Sequence, residues 1–350
     1  YYLYTQWLAA QQMEQLSGAA HREGVRLHLD LPLGVHPLGY DAWRMQREFV
    51  QGASAGAPPD MVFTSGQDWG TPVVHPERSR ERGYDYFVRC VRHHMAHAGI
   101  LRVDHVMGLH RLFWIPKERK PEEGLYVRNH AEELYAILAL ESQRHGVIVV
   151  GEDLGTVPPH VRPSMEEHGL YRMHVVQYEL ESSPERALST IPERVVAGLN
   201  THDMPPFAGW WQGVDVEQRG RCGLLGAKGA VQEREKRERL RRVVLGKLGL
   251  PEGTERLEEA ERVVQHVLGR LAESQAQFVM INTEDLWGET EPQNIPGPSE
   301  GAVNWRRKAG YEYESFSRLK SATKVLRLVD QKRRRARGGQ GVESKKKEGP

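Results

Sequence analysis

Six short apolar runs, each leading into a carboxylate, restrict the folds open to this chain more than any other feature. They occupy residues 25–30, 100–104, 147–152, 174–179, 195–203 and 278–285, and end on Asp30, Asp104, Glu152, Glu179, Asp203 and Asp285. β-Branched runs of this length, separated by helix-like stretches, are the pattern of buried parallel strands. A charged side chain inside such a sheet is unfavourable, so an acid after each run lies where the chain leaves the core. In an α/β barrel those strand ends share one face, the face that carries active sites. The expected fold class is α/β, a TIM-type (β/α) barrel.

A chain of 350 residues holds one large barrel or two ordinary domains. Lys and Arg number 48 against 47 Asp and Glu, so no global field steers the protein to nucleic acid or an anionic membrane, and neither is expected as a partner. No apolar stretch reaches membrane-spanning length, and Tyr1-Tyr2-Leu3-Tyr4 lacks the basic region of a signal peptide. The expected location is cytoplasmic. Cys90 and Cys222 match no metal-ligand spacing and read as free thiols. The first residue is not Met, which reads as a fragment or a trimmed product.

Leu3, Trp7, Leu8, Met13 and Leu16 are spaced as on an amphipathic helix, so the chain is expected to begin on a barrel helix. A catalytic barrel over residues 1–330 is expected, interrupted at about 36–95 by a loop insertion rich in Gly, Pro and aromatics. Long loops inside a compact domain are usually functional. A second, charged helical insertion covers about 212–277. In it residues 233–242 read as a solvated face, and Ala260, Val263, Val264, Val267, Leu268 and Leu271 as a packed stripe. Residues 331–350, rich in Lys, Arg and Gly, read as a disordered basic tail.

Three of the strand-end acids have neighbours suited to chemistry. Strand alternation puts Arg102 and Asp104 on one face, where the guanidinium keeps the carboxylate ionised, as a nucleophile must be. Glu152, between Gly151 and Asp153-Leu154-Gly155, sits at the mouth of an apolar strand bundle. Partial desolvation there favours its protonated form and suits a general acid. Asp203 follows Asn200-Thr201-His202 and adds a third carboxylate beside an imidazole. One ionised and one protonated carboxyl form the equipment of a retaining glycosidase, with Trp69, Trp114, Trp210 and Trp211 as candidate stacking platforms for sugar rings. Carboxylates on successive strands also suit Mg²⁺, as in a barrel lyase or isomerase, but Arg102 beside Asp104 competes with a metal. No metal and no cofactor are expected.

At these residues the chain resembles the 4-α-glucanotransferases, or amylomaltases, a branch of the α-amylase superfamily. The motifs lie between Tyr1 and about Lys308. They are the run from Asp30 to Pro37, Gly56-Ala57-Pro58-Pro59-Asp60 with Gly66-Gln67-Asp68-Trp69-Gly70, and Arg102-Val103-Asp104-His105. In order follow Gly151-Glu152-Asp153-Leu154-Gly155, Asn200-Thr201-His202-Asp203, Glu284-Asp285-Leu286-Trp287-Gly288, Gln293-Asn294-Ile295-Pro296-Gly297 and Asn304-Trp305-Arg306-Arg307-Lys308. The resemblance implies Asp104 as the nucleophile, Glu152 as acid/base and Asp203 as the transition-state stabiliser. It implies substrate contacts from Asp30, Gln67, Asp68, Trp69, Gly70, Arg102, His105, Asp153 and His202. The partners it implies are maltooligosaccharides and other α-1,4-glucans.

Two departures stand out. The resemblance implies eight strands, of which this chain supplies six, the first two being absent. The loop after Asp30 reads Val35-His36-Pro37-Leu38-Gly39-Tyr40-Asp41 in place of the family's Asp-Ser-Ala-Asp form. A hydrolase of the same bond and a non-catalytic glucan-binding remnant are the remaining alternatives.

Overall fold

The computed structural model describes residues 1–59, 65–182, 188, 190–253, 255–296 and 304–344. It divides into two compact units, Tyr1–Met173 and His174–Pro350. The first begins with helix α1 (Tyr2–Arg22), as the apolar spacing predicts, yet none of its residues is buried, and Leu3, Trp7 and Leu16 are exposed. Strand β1 (His28–Leu31) follows. The region expected to be a loop insertion holds α2 (Tyr40–Arg44), β2 (Phe49–Ala57), β3 (Gln67–Val74), α3 (Pro76–Glu81) and α4 (Asp85–Met95). It is therefore a β-hairpin framed by helices. Its last helix, α4, contacts β1 and the next strand, burying Val91 and Met95 one turn apart.

After α4 come β4 (Ile100–Val103), β5 (Arg111–Pro116), β6 (Leu125–Arg128), α5 (Ala131–His145), β7 (Ile148–Gly151) and α6 (Val161–Glu167). Strands β1, β4 and β7 form a parallel sheet in that order, with Asp30 opposite Arg102 and Val103 opposite Gly151. Leu101, Val103 and Val149 from the sheet meet Val91, Met95, Tyr135, Leu138 and Met165 from the helices in one core. Strands β2 and β3 pair with β5 and β6 in an antiparallel sheet of order β3-β2-β5-β6. The hairpin β5–β6 has no counterpart in the sequence reading, because it follows the Asp104 run after only a 3₁₀ turn, Val106–Leu109.

The unit boundary falls within β8 (Arg172–Val175). Contrary to expectation, the run at 174–179 is not one strand, since α7 (Val176–Ser182) starts immediately after β8. Val176 and Leu180, one helical turn apart, are both fully buried. Short apolar runs do not separate a buried strand from a buried helix face, and Glu179 consequently lies in a helix rather than at a strand end.

The second unit continues with β9 (Val195–Gly198), α8 (Phe207–Gln212), α9 (Val214–Arg221), α10 (Ala227–Leu248), α11 (Arg256–Glu273) and β10 (Phe278–Met280). Helices α12 (Tyr313–Phe316) and α13 (Lys320–Ser344) end the described chain. Strands pair in the order β10-β9-β8, with Phe278 opposite Val196 in parallel. The predicted stripe on α11, from Ala260 to Leu271, is buried in this unit's core against Val195, Ala197 and Leu199.

Two further expectations fail here for one reason, long-range partners for basic side chains. The charged run on α10 is not wholly solvated: Arg237 and Arg241 are buried, Arg237 against Asp215 and Arg241 against Glu259. Nor is the basic segment from 331 disordered through Ser344, because it forms the second half of α13. Arg333 donates to the carbonyls of Ala272, Ser274, Ala276 and Gln277, and Lys332 Nζ lies 2.6 Å from Glu273 Oε1. Cations at the end of α11 satisfy carbonyls that have no partner within the helix. Residues 345–350 of the predicted tail, Asp60 and Gly297 lie outside the described residues.

Candidate active site

In the first unit the sheet β1-β4-β7 delivers three charged side chains to one edge. Register pairing sets Asp30 beside Arg102, whose Nη1 bonds both carboxylate oxygens at 2.8 and 2.7 Å. Strand alternation points Asp104 the same way, and Arg102 Nη2 lies 2.8 Å from Asp104 Oδ1. Burial works against the charge on Arg102, but Asp104 and Asp30 together hold it protonated. Asp104 remains one-third exposed, 34%, whereas the guanidinium is nearly enclosed. The site thus has a fixed internal cation and a reachable carboxylate.

Glu152 stands next to Asp104 in the sheet. The Glu152 N–H donates to the Val103 carbonyl at 2.9 Å, continuing the β4–β7 ladder one step past Val103 and Gly151. Its carboxyl is buried at 9% exposure and accepts from the Leu154 N–H at 2.7 Å and the His105 N–H at 3.0 Å. Burial pushes its pKa up to about 7, and the charge of Asp104 pushes the same way. The Leu154 and His105 N–H groups and Arg102 oppose that rise. His105 reaches Glu152 through a left-handed backbone, φ 46°, an uncommon conformation for a residue with a side chain. Burial lowers the pKa of its imidazole to about 4, so the ring is neutral near pH 7.

Trp69 sits edge-on to His105 at 5.2 Å, and its indole N–H points to Gln67 Oε1 at 3.4 Å. Asp68 Oδ1 accepts from Ser54 and from the Gly70 N–H, at 2.7 and 2.8 Å, while Gly70 takes φ 66°. Asp68 and Gly70 therefore shape the strand that presents Trp69. A cavity of about 270 Å³ adjoins Asp104 and His105, and Trp114 lines it.

In the second unit Asp203 follows β9. Its Oδ1 accepts from Asn294 Nδ2 at 2.7 Å, and His202 Nε2 lies 3.2 Å from its Oδ2. Asn200 is buried and donates to Asp285 Oδ2 at 2.9 Å; Asp285 Oδ1 accepts from the Phe207 N–H at 2.7 Å. Burial pushes the pKa of Asp285 up to about 7. The acid that ends the sixth run is thus a buried anchor for the strand end that carries Asp203.

Two groups of predicted residues do other work. Asp153 is enclosed, with Arg162 and Arg172 at 2.9 and 2.8 Å and the Met173 N–H at 3.0 Å. With no exposed carboxylate surface it has nothing to offer a substrate, and the expected sugar contact becomes a structural ion cluster. Trp210 and Trp211 are 1% and 2% exposed, and their rings pack in the core under Arg237 and Arg241. They cannot serve as stacking platforms. The motif composition does not reveal the partners of Asn294, Asp285 and Trp305, because each bonds to a segment distant in sequence or to a loop neighbour that carries no local signal.

Among the described residues no group of three or more His, Cys, Asp or Glu side chains is placed to hold a metal ion, and no helix is long and apolar enough to cross a membrane. Cys90 and Cys222 are both unpaired.

A family model described as 4-alpha-glucanotransferase matches residues 1–312. The 4-alpha-glucanotransferase of Mycobacterium tuberculosis is 36% identical over 321 residues, covering 87% of this chain and 43% of that protein. The Haemophilus influenzae 4-alpha-glucanotransferase is 32% identical, covering 88% and 46%. The crystal structure of amylomaltase from Corynebacterium glutamicum superposes with a TM-score of 0.82 at 30% identity, covering 94% of this chain and 49% of that one. An amylomaltase from Streptococcus agalactiae, solved in complex with acarbose, shares the fold at a TM-score of 0.72 and 19% identity. The chain spans less than half the length of these two curated relatives. With its mixed α/β architecture and a family match that spans Asp104, Glu152 and Asp203, this chain belongs to the 4-alpha-glucanotransferase family.

Proposed function

We propose that this chain carries the catalytic machinery of a retaining 4-α-glucanotransferase acting on cytoplasmic α-1,4-glucans. The observation that carries the reading is the pairing of Asp104, held ionised by Arg102, with the buried Glu152 one step past the Val103–Gly151 register pair. Neighbouring strands stand about 4.8 Å apart. That spacing suits a retaining pair, whose carboxyls are roughly 5–5.5 Å apart, rather than the wider inverting geometry.

In this reading an Asp104 oxygen attacks the anomeric carbon of a bound maltooligosaccharide. The bond from that carbon to O4 of the next glucose breaks, and Glu152 gives its proton to the departing oxygen. The donor segment is then held on Asp104 as an ester. The 4-hydroxyl of an acceptor glucan attacks the same carbon, Glu152 takes back the proton, and Asp104 leaves ionised. Arg102 neutralises Asp104 at both ends of the cycle. Asp203, oriented by Asn294 and His202, is assigned to the charge that develops on the sugar. The three parallel strands of each unit, taken unit by unit, suit a (β/α) barrel of α-amylase type.

Product analysis tests the proposal. Maltotriose should yield glucose together with a ladder of longer glucans, and Asp104→Asn should lower turnover by at least ~10³-fold. Release of maltose and glucose without longer products would identify a hydrolase instead.

A further inference from the structure

Trp305 is the largest exposed aromatic near Asp203, with 61% of its surface in solvent, and its backbone is left-handed at φ 58°. For a bulky residue that conformation is unfavourable. Core packing does not repay it, since most of the ring lies outside any core. Something must nevertheless hold it, and the hydrogen bonds show what. The Trp305 N–H donates to the Gln293 carbonyl at 2.8 Å, while Asn304 bonds both the N–H and the carbonyl of Ile295 at 3.0 Å. Gln293 in turn donates to Glu284 Oε1 at 3.0 Å, and Arg307 bridges Glu284 and Glu289.

This clasp joins two consequences. It carries Asn294 onto Asp203 at 2.7 Å, and it sets the Trp305 ring against the His202 imidazole at 5.7 Å between centroids, tilted by 48°. His202 itself pairs with Asp203. A flat apolar face is therefore maintained in water, at a backbone cost, beside the group assigned to the sugar ring. Aromatic faces of this kind bind the C–H face of a glucose ring by dispersion and exclusion of water.

We propose that Trp305 is a specificity-determining glucan platform that stacks a glucose unit beside His202 and Asp203. The proposal rests on the glucanotransferase reading and deepens it, since it names a residue that selects for an α-1,4-glucan long enough to reach the indole. The contact is to a ring that does not react, so it raises affinity more than it lowers the chemical barrier.

The test uses the 350-residue chain, with maltoheptaose binding by calorimetry and glucose release from maltotriose measured on the same preparations. Trp305→Ala should weaken maltoheptaose binding and raise KM by about tenfold or more, with kcat within about threefold, while Trp305→Phe stays within about threefold of wild type on both. Melting temperatures of the two variants should match wild type, as the ring is exposed. Wild-type binding undiminished in Trp305→Ala would overturn the platform and leave the glucanotransferase reading intact. So would equal losses in both variants accompanied by lowered melting temperatures, which assign Trp305 to structure alone. A fall in kcat without a change in KM would likewise reject it in favour of positioning His202. Wild-type chain that neither binds maltoheptaose nor transfers glucose would refute the glucanotransferase reading itself, and the platform with it.

Discussion

Nη2 of Arg102 lies 2.8 Å from Oδ1 of Asp104, while the other arm of the same guanidinium grips both oxygens of Asp30. The cation is almost enclosed, so its field acts on Asp104 with little screening by solvent. It also lowers the pKa of Glu152 against burial.

Replacing this cation separates the two effects. Arg102→Met should reduce turnover on maltotriose by ~10²–10³-fold, because Asp104, the proposed nucleophile, loses the neighbouring charge that favours its ionised form. The alkaline limb of the pH–rate profile should move upward in the same variant, since the loss of a positive charge favours protonated Glu152. Activity within threefold of wild type would remove Arg102 from the mechanism.

Glu152 has its pKa raised to about 7 in the folded protein, so the acid form that the proposed mechanism uses to protonate a leaving group is lost as pH rises through that value. Activity should therefore decline on the alkaline side with an apparent pKa near 7. Stability follows the same sign: between the ordinary glutamate range and about pH 7 the folded state keeps a proton that the unfolded state has released, so stability falls with rising pH across that window. Asp104→Asn removes a neighbouring negative charge and should lower the Glu152 pKa, as read by carboxyl ¹³C shifts. An unchanged titration in that variant would show that the two carboxyls do not interact.

Asp153 distinguishes a structural carboxylate from a ligand-binding one. Asp153→Ala strips the acceptor from Arg162, Arg172 and the Met173 N–H, and should destabilise the protein by roughly 2–3 kcal/mol in urea melts. Maltoheptaose affinity of the folded variant should match wild type. A selective loss of glucan binding at unchanged stability would return Asp153 to the substrate site.

Arg241 and Glu259 form a buried pair, with Trp211 Nε1 and the Gly253 N–H also donating to Glu259. Arg241→Met should cost about 3–5 kcal/mol by leaving Glu259 charged and buried, and adding Glu259→Leu should recover part of that loss. Burial raises the Glu259 pKa, but Gly253, Trp211 and Arg241 more than offset it and leave it low. Its stabilisation is therefore present above the ordinary glutamate range and lost as pH falls through the lowered value, a dependence absent in the double variant. Additive losses in the double variant would mean that the pair is not coupled.

Most of the parallel strands, the order of the motifs and the common face of Arg102 and Asp104 were legible along the chain. Each depends on local rules: period-two alternation puts Arg102 and Asp104 on one face, and an apolar run followed by an acid marks an exit from a buried sheet. The apolar stripe of α11 was legible for the same reason, since 3.6-residue spacing is written in the sequence itself.

Where two segments far apart in sequence meet, local rules stop. Only the tertiary structure decided that Arg241 on a charged helix would be enclosed by Glu259, that Arg333 would cap the end of α11, and that Asp153 would be closed off by Arg162 and Arg172. A charged side chain next to many others reads as solvated until a distant partner offsets its desolvation. Trp210 and Trp211 are buried while Trp305 is exposed for a related reason. Indole composition is the same in all three, and it is the surrounding chain that determines whether the ring fills a core or faces water.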